Sequence, residues 1–389
     1  MSFEFADRVK RLPSYLFAEI EKAIKEKKAQ GVDLISLSIG DPDLPPPQFV
    51  IDALKKEVAD LKNHNYSFSQ GEQDFRQAVA EWYKKRFRVD LNQDEVIALM
   101  GSKEGLANVA RAFVNAGDRV LVPDPSYPVY CNGATILNDG IPTPMPLLRE
   151  NGFKPDLEAI HAEKVKMMFL NYPNNPTAAT VDKKFLKRAV EFARENNIIL
   201  CYDNAYSELT FDGYKAPSIL EIDGAKDVAV EFHSCSKTFN MTGDRIAFAV
   251  GNKQLISGLT KVKSQIDSGP PVYIQKVAAK ALESYKNAEP PEFLRKNNRV
   301  YSERRNVLVD RLCKLGFMCD KPKATFYVWA NCNGNSMEFA TKLLSIGVVV
   351  TPGVGFGAYG EGYVRFSLTQ PKERLIEASK RIAALVECR

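Results

Sequence analysis

Ser234-Cys235-Ser236-Lys237-Thr238, reached from the apolar run Val228 to Phe232 and followed eight residues past its lysine by Arg245, carries the most chemistry in this 389-residue chain. A lysine at the end of a buried strand, walled by hydroxyls and close to a fixed cation, suits a covalent bond to an aldehyde. Its ammonium must first lose a proton, and partial burial beside positive charge lowers its pKa toward that requirement. Ser234, Ser236 and Arg245 would then meet a phosphate on the same ligand, the arginine through its planar fork of donors. The competing reading is a surface lysine after a strand. Among 53 lysines and arginines, the motif alone does not exclude it.

Four further stretches bear on the choice. Val96 to Met100 reads as a buried strand running into Gly101-Ser102-Lys103-Glu104-Gly105, after which Leu106, Val109, Ala110 and Phe113 begin a helical period. Strand, small residues and helix N-terminus make a phosphate cradle, because free N–H groups and the helix dipole face the anion. Ile198 to Tyr202 is a second buried strand and stops at Asp203, with Tyr206 three residues on. A carboxylate at the carboxyl end of a parallel strand lies where open α/β sheets bind ligands, and it could hold a pyridinium nitrogen protonated. Met167 to Leu170 leads into Asn171 to Thr177, which contains Asn175, and Arg365 stands among the alternating apolar residues of Tyr363 to Leu368. Each has an ordinary alternative: a helix cap for Asp203, a turn at Asn175-Pro176, an edge-strand charge for Arg365. Taken together and in this order, they point to pyridoxal phosphate.

In the order Gly40, Tyr66, Ser102-Lys103, Tyr127, Asn175, Asp203, Tyr206, Ser234 to Lys237, Arg245 and Arg365, the chain resembles the class I and II aminotransferases over nearly its whole length. The resemblance implies that Lys237 carries the cofactor, Asp203 contacts its ring nitrogen, and Asn175 and Tyr206 meet its ring oxygen. Tyr127 would stack on the ring. Ser102, Lys103, Ser234, Ser236 and Arg245 would form the phosphate cup, and Arg365 with Asn175 would grip the substrate α-carboxylate. Tyr66 matches a tyrosine that reaches the phosphate from a neighbouring subunit, which implies a homodimer with shared active sites.

Four segments resemble the LL-diaminopimelate aminotransferase branch in particular: Leu12 to Ile20, Gly40 to Leu44, Pro322 to Trp329 and Val350 to Gly362. In that branch an N-terminal tyrosine and a loop glycine touch the substrate, roles that fall on Tyr15 and Gly40. Two positions depart from the pattern. Ser69 stands where better-known members carry a glutamate that reads the distal end of the substrate, and Asp244 stands beside Arg245 where relatives have an uncharged residue. The implied activity is a two-stage transamination with amino acid and 2-oxo acid substrates. Glutamate would aminate ring-opened tetrahydrodipicolinate to LL-diaminopimelate on the route to lysine. Alternatives on the same machinery are an alanine, aspartate or aromatic aminotransferase and a carbon–sulfur β-lyase. A regulatory module lacks a helix-turn-helix extension before Gly40.

Composition fits an enzyme with two core-bearing units. Hydrophobic residues make up 45% and charged ones 26%, and the formal charge of +5 comes without a basic, aromatic-laced track, so no nucleic acid partner is expected. No signal-like run follows Met1 and no apolar stretch approaches the ~20 residues that span a bilayer, so no membrane association is expected. Seven cysteines at irregular spacing predict reduced thiols and a cytoplasmic address, and with three histidines no metal site is expected.

Residues 45–270 alternate apolar strands with amphipathic helices, as over Gln73 to Phe87, where Phe75, Val79, Trp82 and Tyr83 share a face. This predicts an α/β large domain with a mostly parallel sheet between helices. Ser268 to Pro271 breaks the pattern and a long helical region is expected from Tyr273 to Leu315. Strands over Phe326 to Ala330, Val348 to Val350 and Val364 to Leu368, with helices over Ser336 to Ser345 and Lys372 to Val386, predict a smaller α+β domain. By resemblance it takes 1–44 with 271–389, joined through the Pro42 to Pro47 hinge, in the fold type I of pyridoxal-phosphate-dependent transferases. Gly355 to Gly360 satisfies G-x-G-x-x-G, but the strand-like Tyr363 to Ser367 follows where a dinucleotide fingerprint needs a helix. Phe326, Tyr327 and Trp329 are expected to pack the small domain.

Overall fold

The computed structural model describes residues 3–13 and 16–387. The large domain is built on seven strands: β1 (Val96–Leu99), β2 (Arg119–Asp124), β3 (Ile141–Pro146), β4 (Val165–Asn171), β5 (Ile199–Asp203), β6 (Ala229–Ser234) and β7 (Ala247–Gly251). Their order is β1-β7-β6-β5-β4-β2-β3, and β7 runs antiparallel to both neighbours in an otherwise parallel sheet. The central strands β4, β5 and β6 are almost wholly buried and largely apolar, as parallel strands covered by helices are, with Glu231 and His233 of β6 among the buried polar exceptions. β3 carries Pro142, Pro144 and Pro146 and lies at the sheet's edge. Prolines at alternate positions turn their missing donors to the open side, while Ile141 and Leu147 donate to Asp118 and Asp124.

Two apolar cores flank this sheet. On one face Ile97, Leu99, Leu106, Val109, Phe169 and Phe232 pack beneath helices Ser102–Phe113 and Lys253–Lys263. On the other, Phe75, Val79, Trp82 and Tyr83 of Gln73–Phe87 meet Leu121, Met168, Leu170 and Tyr202. The helical region after Pro271 is two helices, Val272–Glu283 and Glu292–Lys314, because Pro290-Pro291 interrupts the chain between them. The first packs with the large sheet's core through Ile274, Val277, Ala278 and Leu282. The second crosses between cores, with Leu294 in the large one and Tyr301, Leu308 and Leu312 in the small one.

The small domain centres on a four-stranded antiparallel sheet containing Tyr327–Asn331 and Tyr363–Ser367, in register Trp329 to Arg365. Ile35–Ser36 pairs in parallel with Val348–Val349, so residues near the start of the chain close onto strands near its end. Gly353–Phe356 and Ala358–Gly360 are short helical turns that lead into the strand Tyr363–Ser367, which bears out the rejection of a dinucleotide site. Among the described residues no helix is long and apolar enough to cross a membrane.

β6, which delivers Lys237, is anchored by a buried carboxylate. Glu231 accepts from Ser218 Oγ at 2.6 Å, Ile219 N at 2.9 Å, Asn204 Nδ2 at 2.9 Å and Tyr83 Oη at 3.1 Å, with His233 Nε2 at 2.7 Å. Burial pushes its pKa up, but His233, Ser218 and Asn204 outweigh it and leave the carboxyl below its usual range. Removing the acceptor strands several buried donors, so Glu231→Ala should cost on the order of 3 kcal/mol. Chemical unfolding checks this: a loss below about 1 kcal/mol would show that the cluster does not anchor the strand.

Candidate active site

The ends of β1, β4, β5 and β6 and several segments of the small domain meet around a cavity of about 430 Å³. At one end Gly101, with φ +92°, precedes the helix Ser102–Phe113, whose first N–H groups face the cavity mouth. A Cβ at Gly101 would lie 2.1 Å from Arg245 Nη2, so only glycine lets that guanidinium approach. Arg245 sits at φ +54° and is oriented by donating to the Thr242 carbonyl at 2.9 Å and the Met100 carbonyl at 3.3 Å. Ser102, Lys103, Ser234, Ser236 and Thr242 line the same end. This is an anion cradle of backbone donors, hydroxyls and one guanidinium. Asp244 is absent from the lining, so no carboxylate opposes Arg245 from that position.

Lys237 lies in the short helix Cys235–Thr238, capped by Ser234, whose hydroxyl accepts from Ser236 N. Its Nζ donates to the Gly40 carbonyl at 2.8 Å and lies 5.6 Å from the Phe326 ring. Burial lowers its pKa to about 8; Asp41 opposes the shift, and Arg365 and Arg245 add to it. Asp203 closes β5 level with Asn171 on β4. It accepts from Tyr130 Oη at 2.7 Å and from Ala205 N at 3.2 Å. Burial raises its pKa to about 6 against those two hydrogen bonds and the nearby His233. Tyr206 Oη is 3.1 Å from Tyr327 Oη, and burial holds that phenol well above its usual range.

Asn175 is fixed by Asn171, whose Oδ1 accepts from Asn175 N at 2.8 Å while its Nδ2 donates to the Asp203 carbonyl. Asn175 Oδ1 in turn accepts from Arg365 Nη1 at 2.6 Å, and Arg365 Nη2 donates to the Ser38 carbonyl at 2.6 Å. Arg365 Cζ lies 4.2 Å from the Tyr327 ring centroid and 4.7 Å from that of Phe356. Its Nε is buried without a hydrogen-bond partner. A buried guanidinium with a spare donor calls for an anionic ligand.

Most of the residues expected at the site meet here: Gly40, Ser102, Lys103, Tyr127, Asn175, Asp203, Tyr206, Ser234, Ser236, Lys237, Arg245 and Arg365 all line the one cavity. Tyr66 does not; it is 92% exposed, away from the cavity, beside His64, Ser67 and Gly269. Tyr15 lies outside the described residues. The expectation that Tyr327 only packs the small domain is corrected, because its hydroxyl and ring face Tyr206 and Arg365. Sequence reading also passed over Tyr130, which follows Tyr127 by three residues on the turn Val129–Thr135. The dense aromatic and proline spacing of Tyr127 to Tyr130 was the available signal.

Residues 32–382 match the family described as aminotransferase class I and II. The chain belongs to that family. It is 51% identical over 389 residues to an LL-diaminopimelate aminotransferase of Desulforudis audaxviator, covering 98% of each chain. It is 50% identical over 390 residues to one of Aquifex aeolicus, covering 98% of this chain and 99% of that one. Among solved structures, a substrate-bound BacF from Bacillus subtilis superposes with a TM-score of 0.93 at 39% identity, covering 99% of this chain and 98% of that one. A Thermus thermophilus aspartate aminotransferase mutant gives 0.92 at 30%, covering 99% and 100%.

As an aminotransferase of this class the protein uses pyridoxal phosphate, and the cavity fits that group. It offers an anion cradle, a lysine whose pKa is lowered to about 8, and a buried carboxylate in the same lining. Only the neutral amine is a nucleophile, and its fraction rises with pH until Lys237 is fully deprotonated. The rate of covalent cofactor uptake by cofactor-free enzyme should therefore climb as pH rises to about 8 and level off above it. Stopped-flow absorbance measures this. A rate still climbing toward about pH 10, the range of an ordinary lysine, would show that burial does not tune the amine.

Proposed function

We propose that this aminotransferase exchanges an amino group between LL-2,6-diaminopimelate, with tetrahydrodipicolinate as the corresponding oxo form, and the glutamate/2-oxoglutarate pair, in lysine biosynthesis. The observation that carries the chemistry is the meeting of Lys237 and Arg365 in one cavity, one poised to move a proton and the other holding a spare donor for a carboxylate. The substrate rests on the full-length likeness to enzymes named for it. Asp41 adds support, since it is an acidic group lining a cavity otherwise rich in cations. The distal ammonium of diaminopimelate has a use for such a partner.

Bound in this cavity, pyridoxal phosphate supplies the aldehyde carbon and an electron-withdrawing ring. Ser102, Lys103, Ser234, Ser236 and Arg245 would hold its phosphate, and Tyr127, Asn175 and Tyr206 would hold its ring. Asp203, ionised at neutral pH with its pKa near 6, would keep the ring nitrogen protonated. Arg365 and Asn175 fix the substrate α-carboxylate, which aims the α-hydrogen at Lys237. Lys237 Nζ removes that proton from the α-carbon as a base and, as an acid, would deliver it to the former aldehyde carbon rather than back to the α-carbon. The buried walls limit water at the reacting carbon.

The working unit we infer is a cytoplasmic homodimer. Tyr66 supports it, being 92% exposed and not among the residues that line its own cavity, as a residue serving a second subunit's site would be. The six described cysteines are unpaired, in keeping with a reducing compartment. Residues 45–270 are taken as the large domain and 1–44 with 271–389 as the small one; Tyr301, Leu308 and Leu312 of Glu292–Lys314 lie in the small domain's core, and Leu294 of the same helix lies in the large one's.

The purified yellow enzyme should lose its long-wavelength absorbance on adding LL-diaminopimelate or glutamate and keep it with alanine, aspartate or cystathionine. A response to aspartate with none to LL-diaminopimelate would overturn the substrate and leave the chemistry. Pyruvate released from cystathionine would mark a lyase. Lys237→Ala should fold normally and lose at least about 10³-fold in kcat; full activity in that variant would remove Lys237 from the scheme.

A further inference from the structure

We propose that Asp124 is a positioning residue for carboxylate binding, anchoring the Gly355–Gly360 loop so that Phe356 stays against Arg365. This rests on the reading of Arg365 as the carboxylate clamp. Asp124 ends β2 in the large domain, and its carboxylate reaches the small domain. Oδ2 accepts from Ala358 N and Oδ1 from Tyr359 N, each at 3.1 Å. Two residues on, Ser126 N donates to the Phe356 carbonyl at 2.8 Å. Three hydrogen bonds thus tie one strand end to one four-residue piece of the opposite domain.

The glycines of that loop make the contact sterically feasible. Gly357 holds φ +134°, and a Cβ there would lie 2.0 Å from Asp124 Oδ1. A Cβ on Gly353 would lie 1.9 Å from the Gly360 carbonyl oxygen, so the loop also closes tightly on itself. The G-x-G-x-x-G spacing, which binds no dinucleotide here, presents two backbone donors to a carboxylate of the chain itself. Burial works against the charge on Asp124, and the two loop N–H groups are what support it.

What the anchor holds is Phe356. Its ring is buried with Leu147 and Phe153 from the large domain and Trp329 from the small one, and it lies 4.7 Å from the Arg365 guanidinium carbon. A ring face at that distance excludes water from the guanidinium and restricts its rotation, so the remaining donors stay aimed at an incoming carboxylate. If the loop loosened, Arg365 would keep Asn175 and Ser38 but lose a wall.

The test uses holoenzyme with Asp124→Asn, Asp124→Ala, Phe356→Ala, the double variant Asp124→Ala/Phe356→Ala and Arg365→Met. KM for both the amino acid and the 2-oxo acid should rise about tenfold in the Asp124 variants, with kcat changed less than about threefold. The pH midpoint of the cofactor absorbance should not move, because Asp124 acts through Arg365 and not through Lys237. In the double variant KM should rise no further than in Phe356→Ala alone. Multiplying effects in the double variant, or unchanged KM in a folded Asp124→Asn enzyme, would overturn the inference. Unchanged KM in Arg365→Met would instead overturn the clamp reading on which it rests.

Discussion

A buried carboxylate and a buried amine share one cavity without pairing, and the site depends on that separation. Asp203 and Lys237 both line it, yet among the described ion pairs none joins them. Asp203 accepts hydrogen bonds from the Tyr130 hydroxyl and the Ala205 N–H, and Lys237 donates one to the Gly40 carbonyl. Had they met, each charge would have stabilised the other and the lysine would have stayed an ammonium. Kept apart, they titrate near 6 and near 8. Around neutral pH the carboxylate is ionised while a usable fraction of the amine is neutral. Topology supplies the gap: β5 and β6 are adjacent, but Lys237 sits past the end of β6 on a short helical turn.

Satisfying Lys237 in this way requires a carbonyl delivered from the other domain. The segment around Gly40 is stitched to small-domain strands: Leu37 N donates to Val349, Ser367 N to the Leu37 carbonyl, Thr351 Oγ1 to the Ser38 carbonyl and Thr369 Oγ1 to that of Ile39. Asp43 takes both terminal nitrogens of Arg304, at 2.7 and 2.8 Å. A Cβ at Gly40 would lie 1.8 Å from the Tyr327 hydroxyl, so the carbonyl can approach only because that residue has no side chain. The same Ser38 carbonyl receives Arg365. One stretch of backbone therefore fixes both the Lys237 amine and the Arg365 guanidinium.

The sequence exposed those parts whose signal is local. Strands β1, β4, β5 and β6 announce themselves as short apolar runs ending in polar residues, and the helices over Gln73–Phe87 and Ser336–Ser345 agree with their periodicity end to end. β3 was illegible because three prolines look like loop until its place at the sheet edge is known. β7 was illegible because Ala247, Ala249 and Gly251 leave only Phe248 and Val250 to mark an apolar run. Tyr130, Tyr327 and Asp124 act through partners 73, 121 and more than 230 positions away. No window on the chain contains those pairs, and only the lysine, aspartate and arginine motifs with roles known from resemblance could be placed without them.

The glycine-rich stretch Gly355–Gly360 shows why spacing alone underdetermines chemistry. Glycines at such intervals let backbone N–H groups converge on an anion, whatever that anion is. In a dinucleotide site a following helix adds its dipole and a ligand phosphate fills the nest. Here a strand follows and Asp124 fills it. The anion is covalently part of the protein, so the interaction spends its specificity on holding two domains in register over Arg365. A contact that would recognise a cofactor in one fold becomes a joint in another, and what decides between them is the element that follows the loop.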